Sequence, residues 1–366
     1  KNRPWPVRGV STSISTIWMA RQQVGKALLD GEIVESISEN LTSSGLGLIQ
    51  PQKFRRSKFA YEGSHFLGDG FLLDENKALE ILSHSPEESE VLHPFLNAHD
   101  LNSSPYRKGT KWIIDMDARG KKEAKAFTLS WEILETFVKP ERQKLDAKKY
   151  PKRVEFWWQH ASASAEMKRR LSKIDFAIVI PRTSKYMIPA VVDANQVFGK
   201  ALAVIPVNDF ALFAVLSSWV HRSWVEWWSA GMDTRFRYSI SDGADTFPFP
   251  RKIDGLENLG KKLHLLQIEI AKKQDLGSTK IYSLVNSDTD DVSSDIEALR
   301  DLHRQIDVQI LQNFDFELDL GPYESSEFKY VVQWGPPASQ RIEILQLLLA
   351  ENQRQQVEGV IEWPAK

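Results

Sequence analysis

Apolar positions along the chain fall into two regimes. Up to about residue 250 they come in short bursts separated by polar turns, the pattern of strands and short helices. Thr12-Ser13-Ile14-Ser15-Thr16-Ile17-Trp18 is β-branched and alternating, and Asp30-Gly31 ahead of Ile33-Val34 is a hairpin-turn signal, so the first fifty residues read as β-rich. Asp74 is placed to N-cap a helix with apolar positions at Ala78, Leu79 and Leu82. Lys111 to Asp115 reads as a short strand, and Ser130 to Lys148 as an amphipathic helix that Pro140 breaks or kinks. Asp175 to Pro181, Met187 to Val192 and Ala201 to Val207 are three closely spaced strands, and Asp209 to Ser229 reads as one long, tryptophan-rich helix.

After Pro250 the period changes. Leu256, Leu259, Leu263, Leu266 and Ile270 recur at spacings of three and four, as do Ile296, Leu299, Leu302, Ile306 and Ile310. Such stripes belong to helices that pack on other helices. A third helix, Arg341 to Gln355, follows the Gly335-Pro336-Pro337 break, and Asn286 to Ser294 is a polar loop. The fold class expected is α+β: a sheet-containing region followed by an α-helical, bundle-like tail. The junction is Arg237 to Pro250, RYSISDGADTFPFP, whose prolines Pro248 and Pro250 exclude helix interior and central strand. There Phe247 and Phe249 are expected to pin the tail against the sheet. Arg235 and Arg237 lie close enough in sequence to face a phosphate or to make a structural salt bridge.

Composition narrows the chemistry. Among 366 residues there are twelve tryptophans and no cysteine, which removes disulfides, thiolate nucleophiles and cysteine metal sites and fits a reducing, cytoplasmic setting. The longest apolar run, Phe210 to Val220, is interrupted by two serines and is too short for a membrane span, so no membrane partner is expected. The net charge of −2 conceals an asymmetry: 36 bases against 29 acids over 1–252, and 11 against 20 over 253–366. Within the basic part, Lys139 to Arg153 carries seven bases and two acids. Such a division suggests regions with different partners.

Catalytic patterns are sparse. None of the eight histidines forms an HxxxH or HExxH pair, and Gly63, Gly68 and Gly70 do not make a nucleotide-binding loop, so no catalytic or metal-binding residue is assigned. Asp115 followed by Glu123-Ala124-Lys125 superficially matches the Asp…Glu-x-Lys set of Mg-dependent nucleases. That set needs its Glu-x-Lys on an apolar strand, whereas the neighbours Lys121, Lys122 and Ala126 favour a helix start. The loop Pro181-Arg182-Thr183-Ser184-Lys185-Tyr186 offers different chemistry, with cations for guanine acceptors and hydroxyls for several bases. Taken by itself it is better read as a solvent-exposed hairpin with incidental charge.

Support comes from the order of several segments. RPWP and LLDG near the start are followed by YEGSHFLGDGFLL, HPFLNAHDLNSSP, KWIIDM, FVKPER, FWWQHA, VIPRTSKYMIP, VLSSWVHRSWVEWW and RFRYSISDGADTFPFP, then by STKIYS and ALRDLHRQID in the tail. In this order the chain resembles the C-terminal part of the type IIL, MmeI-like adenine-N6 DNA methyltransferases of bacterial restriction–modification systems. The resemblance implies residual methyltransferase strands at 1–50, a target-recognition domain at 51–250 and a helical C-terminal domain at 251–366. It implies double-stranded DNA as partner, alongside the methyltransferase domain of the same polypeptide. That domain would flip and methylate an adenine using S-adenosylmethionine, a cofactor with no site in this chain. The catalytic Asn/Asp-Pro-Pro-Tyr/Phe motif and a glycine-rich cofactor loop are absent, so the chain by itself is not expected to methylate.

On this reading base contacts fall to Arg182, Ser184, Lys185 and Tyr186, with Lys200 on the next strand. Phosphate contacts fall to Lys139, Arg142, Lys148, Lys149, Arg169 and Arg170. Trp157, Trp158, Trp227 and Trp228 are assigned to packing. The alternative of another class is an interaction scaffold whose basic part docks an acidic partner and whose helices dimerise.

Overall fold

The computed structural model describes residues 51–54, 58–229, 236–288, 292–328, 331–361 and 363, with short pieces at 3–4, 13–14, 17, 26–29, 31–34 and 37. Arg3–Pro4 (β1) pairs with Ser13–Ile14 (β2), and Ala27–Leu29 (β3) with Glu32–Val34 (β4). The Leu29↔Glu32 register leaves Gly31 in the connection at φ 97°, the positive φ that a two-residue hairpin turn requires. The rest of the β-rich reading of residues 1–50 lies outside the described residues, as does Arg235.

Tyr61–Glu62 (β5) and Leu72–Asp74 (β6) begin two different sheets. Asp74 precedes helix Glu75–His84 (α1) in extended backbone, as its N-cap position demands, but its carboxylate pairs with Lys111 instead of capping. The helix buries Ala78 and Ile81 and leaves Leu79 exposed. Leu92–Leu96 (β7), Ala98–Ser103 (α2) and Lys111–Ile114 (β8) follow. Four short helices come next: Lys121–Ala124 (α3), Thr128–Phe137 (α4), Lys139–Gln143 (α5) and Pro151–Glu155 (α6). Pro140 divides α4 from α5 and sits in the first turn of the latter, where its missing N–H has no cost. Glu123 and Lys125 belong to or adjoin α3, so the strand a Glu-x-Lys nuclease needs is not there.

Ala165–Leu171 (α7) leads into Phe176–Pro181 (β9), Thr183–Ser184 (β10), Ala190–Asp193 (β11), Val197–Phe198 (β12) and Leu202–Ile205 (β13). One sheet runs β11-β9-β13-β5, antiparallel throughout; the other runs β12-β7-β8-β6, with β12 parallel to β7. The uninterrupted apolar runs are explained by burial on both faces. Ile178 and Ile180 of β9, Val191 of β11, and Ala203 and Ile205 of β13 enter one cluster. Ala177, Val179, Ala190, Val192, Leu202 and Val204 enter another on the opposite face. A third cluster, from Phe71 to Trp158 with Val197, belongs to the second sheet and its helices. The packing role of Trp157 and Trp158 is thereby met.

The segment 209–229 is two helices, not one: Phe210–Ser217 (α8) and Trp219–Trp228 (α9). Ser218 breaks them in extended backbone, its Oγ accepting a hydrogen bond from the His221 amide at 3.0 Å. A serine in an apolar helical run competes for backbone donors in this way, which hydrophobic periodicity does not register. Phe236–Arg237 (β14) and a π-helical turn, Ile240–Ala244, follow.

The tail comprises Leu256–Gln274 (α10), Ser278–Val285 (α11), Ser294–Asn313 (α12), a hairpin of Glu324–Phe328 (β15) and Val331–Gly335 (β16), and Ala338–Glu358 (α13). Sequence periodicity identifies α10, α12 and α13; α11 and the hairpin are too short for it. The tail does not form a separate core. Leu263, Ile306 and Leu348 share a cluster with Ile178 and Ile180 of the sheet, and Phe247 and Phe249 lie within it. The Phe249 ring meets Phe59 at 5.4 Å and Trp363 at 5.2 Å, and Phe247 meets Phe314 at 6.4 Å, so the Phe-Pro-Phe-Pro segment pins the tail as expected. No helix among the described residues is long and apolar enough to cross a membrane.

Candidate nucleic-acid interface

The two sheets meet at a seam made by close backbone approach. Ser64 N, just past β5 of one sheet, donates to Phe198 O on β12 of the other at 2.7 Å, and Gly199 N extends the β12–β7 pairing to Leu96 O at 2.9 Å. A Cβ on Gly63 would stand 2.3 Å from the Gly199 carbonyl oxygen, so only glycine permits this contact. Above the seam lies a groove of about 740 Å³, lined by residues 64–67, Leu72, Phe95, Asn97, 182–183, 199–201 and Arg237.

Arg182 enters the groove from the end of β9. Its amide donates to Ala201 O at 2.8 Å and its carbonyl accepts from Tyr238 N at 2.9 Å. The loop is therefore not a free hairpin. Thr183 stands opposite Arg237 in the antiparallel β10–β14 pair, which brings the junction segment onto the loop and Arg237 into the groove. Lys200 completes a set of three cations, with its Nζ 3.5 Å from His65 Nδ1. Burial first, then Lys200 and Arg153, hold the His65 pKa below the ordinary imidazole value. Among the described residues that line the groove none is acidic. Its walls thus present guanidinium, ammonium, hydroxyl and imidazole groups beside the apolar Phe66, Leu67 and Phe95, a surface matched to polyanions and to polar base edges.

Of the five base-reading candidates, Arg182 and Lys200 line this groove. Ser184 and Tyr186 do not: both are buried, Ser184 Oγ donates to the Tyr186 carbonyl, and the Tyr186 ring belongs to the main core. Lys185 is exposed but outside the groove, its Nζ 4.9 Å from the centre of the Tyr186 ring. Thr183, Arg237 and His65 line the groove beside Arg182 and Lys200. Arg237 carries a sequence signal, its basic-aromatic neighbours; His65 and Thr183 carry none strong enough to single them out.

The phosphate candidates divide similarly. Arg142 is buried, donates through Nη2 to the Phe66 carbonyl and covers the Phe71 ring at 5.6 Å, so it supports the groove wall from behind. Lys139 is held by Glu135 at 2.6 Å and lies over Trp157. Arg169 and Arg170 share Glu166, whose pKa their hydrogen bonds draw down to about 2. Lys148 and Lys149 are exposed, Lys149 over the Tyr150 ring.

The nuclease candidates do not converge. Burial alone would raise the Asp115 pKa, but His160 and Lys168 outweigh it and lower it to about 2. Lys168 bridges Asp115 and Asp117 beside a second cavity of about 420 Å³. Glu123 Oε2 accepts the Gly120 amide at 3.0 Å, and Lys125 covers Trp131 at 5.6 Å. Among the described residues no group of three His, Asp or Glu is placed to hold a metal ion.

Residues 53–251, more than half of the chain, match the family described as MmeI, target recognition domain. Among solved structures, the type IIL restriction–modification enzyme MmeI in complex with DNA is similar, with a TM-score of 0.62 at 18% identity. The similarity covers 89% of this chain and 39% of that one, so the chain spans about two fifths of the enzyme and shares its fold over that part. No curated protein sequence matches. With the family model matched over more than half of its length, the chain belongs to the MmeI target recognition domain family.

Proposed function

We propose that the groove at the seam reads base sequence in double-stranded DNA. One observation carries the reading: Arg182, Lys200 and Arg237, from three separate segments, line a single groove with no acidic wall among its described residues. Arg182 and Lys200 are the base readers, since a cation reaching into a major groove pairs with guanine O6 and N7. Arg237 and the exposed Lys148 and Lys149 contact phosphates, with Lys139, Arg169 and Arg170 as further, partly neutralised cations. DNA in the MmeI complex supports the same assignment of partner.

In this reading residues 51–250 are the specificity region and 251–366 a helical buttress fused to its core, while 1–50 end a methyltransferase domain. That domain of the same polypeptide takes an adenine out of the duplex and methylates it in the cytoplasm. Because the 366 residues carry neither an Asn/Asp-Pro-Pro-Tyr/Phe motif nor a glycine-rich cofactor loop, the reading assigns S-adenosylmethionine to that domain.

The test is selection from a randomised duplex library with the full-length protein and with its Arg182→Ala variant. Arg182→Ala should erase preference at one base pair, a loss of about 1–3 kcal/mol in discrimination. An unchanged motif would sink the assignment. A stable dimer with no duplex binding at low salt would favour the scaffold reading instead.

A further inference from the structure

Glu62 stands next to the groove without lining it. It sits on β5 opposite Ala203 of β13, while Arg182 leaves the end of β9 on the other side of β13. The Arg182 side chain spans the intervening strand, and its Nη1 donates to Glu62 Oε1. Arg182 Nε is buried with no hydrogen-bond partner among the described residues. The Arg182 backbone is thus fixed on both sides, its amide on Ala201 and its carbonyl under Tyr238, while the guanidinium itself is held at one terminal nitrogen by Glu62. With Nε buried, the Nη2 amino group and the second N–H of Nη1 are the donors left for the groove.

We infer that Glu62 is the positioning residue that orients the Arg182 guanidinium for bidentate contact with a base, an inference that rests on the groove being the DNA reader. The physical reason is the geometry of the fork. A bidentate guanine contact needs two N–H groups in one plane, and a long side chain loses that alignment unless a fixed acceptor holds its far edge. The pair is partly exposed, 26% for Arg182 and 42% for Glu62, so it adds little to stability. Its charge has a second effect. By offsetting one of the groove's cations, Glu62 lowers attraction for any phosphate backbone while sharpening the one contact that reports sequence. Sequence specificity and general affinity therefore respond to it in opposite directions.

Glu62→Gln in the full-length protein keeps the shape and one acceptor but removes the charge. In selection from a randomised duplex library, its motif should lose about tenfold preference at the same base pair that Arg182→Ala affects. Binding to an unrelated duplex of fixed sequence should rise by roughly two- to threefold, with a steeper salt dependence. Glu62→Asp, which restores the charge on a shorter arm, should recover part of the preference. The double variant Glu62→Gln/Arg182→Ala should show no loss beyond Arg182→Ala alone. Thermal unfolding of each variant reports whether the fold survives. An intact motif in Glu62→Gln, with the motif lost in Arg182→Ala, overturns the positioning role and leaves the groove reading standing. An intact motif in Arg182→Ala overturns both.

Discussion

Thr183 and Arg237, more than fifty positions apart in the chain, face each other in the β10–β14 pair. That pairing converts an arginine of the junction segment into a groove residue and ties the loop after β9 to the segment that leads into the tail. Arg237 is exposed on its edge strand, so its expected partner is a phosphate at the rim. Arg237→Ala should weaken binding to all duplexes alike and flatten the slope of log affinity against log salt by about one. Fluorescence anisotropy over a salt series measures this. Lys185→Ala, whose ammonium lies over Tyr186 and away from the groove, should change neither slope nor motif.

Arg142 gives the opposite signature. It is buried and carries the Phe66 carbonyl on the groove wall. Arg142→Met should lower stability by about 1–3 kcal/mol, the cost of a buried acceptor left without its donor. DNA affinity should fall for every sequence with the salt slope unchanged, since no phosphate contact is lost. A flattened slope in this variant would return Arg142 to the phosphate-binding set.

Gly63 tests the seam. A methyl group there meets two backbone carbonyls, Gly199 O at 2.3 Å and Phe198 O at 2.6 Å, neither of which can rotate aside. Gly63→Ala should destabilise by about 1–3 kcal/mol in urea unfolding and disrupt DNA binding at the same time. Native stability in that variant would mean the two sheets part easily at this point.

Asp307 on α12 caps α9, taking the Trp219 amide at 2.6 Å and the Tyr323 hydroxyl at 2.7 Å. Burial raises its pKa to about 7, although these hydrogen bonds pull the other way. An acid with a raised folded-state pKa binds more protons when folded between its unfolded value, about 4, and about 7. Its contribution to stability is therefore complete below pH 4 and is lost as pH rises through 7. Asp307→Asn keeps an acceptor for Trp219 and cannot titrate, so this falling component of the Tm profile between pH 4 and 7 should vanish. Thermal melts of both proteins across that range decide it.

Much of the architecture was legible in the residues. The apolar runs of β9, β11 and β13, the stripes of α10 and α12, and the stop at Pro140 follow from local period and backbone chemistry, which are properties of neighbouring residues. So does the pinning role of Phe247 and Phe249, large apolar side chains on a segment that prolines keep out of regular structure. The ordered segments from YEGSHFLGDGFLL to RFRYSISDGADTFPFP pointed to the family because they recur together, a signal that needs no coordinates.

Only the tertiary structure decided which cations share a surface. Arg142 and Arg182 are alike as sequence, yet one is buried against the Phe66 carbonyl and the Phe71 ring and the other is held at a seam by strands from both sides. Ser184 and Tyr186 sit two and four residues from Arg182 but point into the core, because the chain reverses there. Glu62, Thr183, His65 and Arg237 meet Arg182 and Lys200 through strand pairing between distant segments. Side-chain direction at such places is set by which strand lies alongside, and that information is not contained in the residues adjacent along the chain.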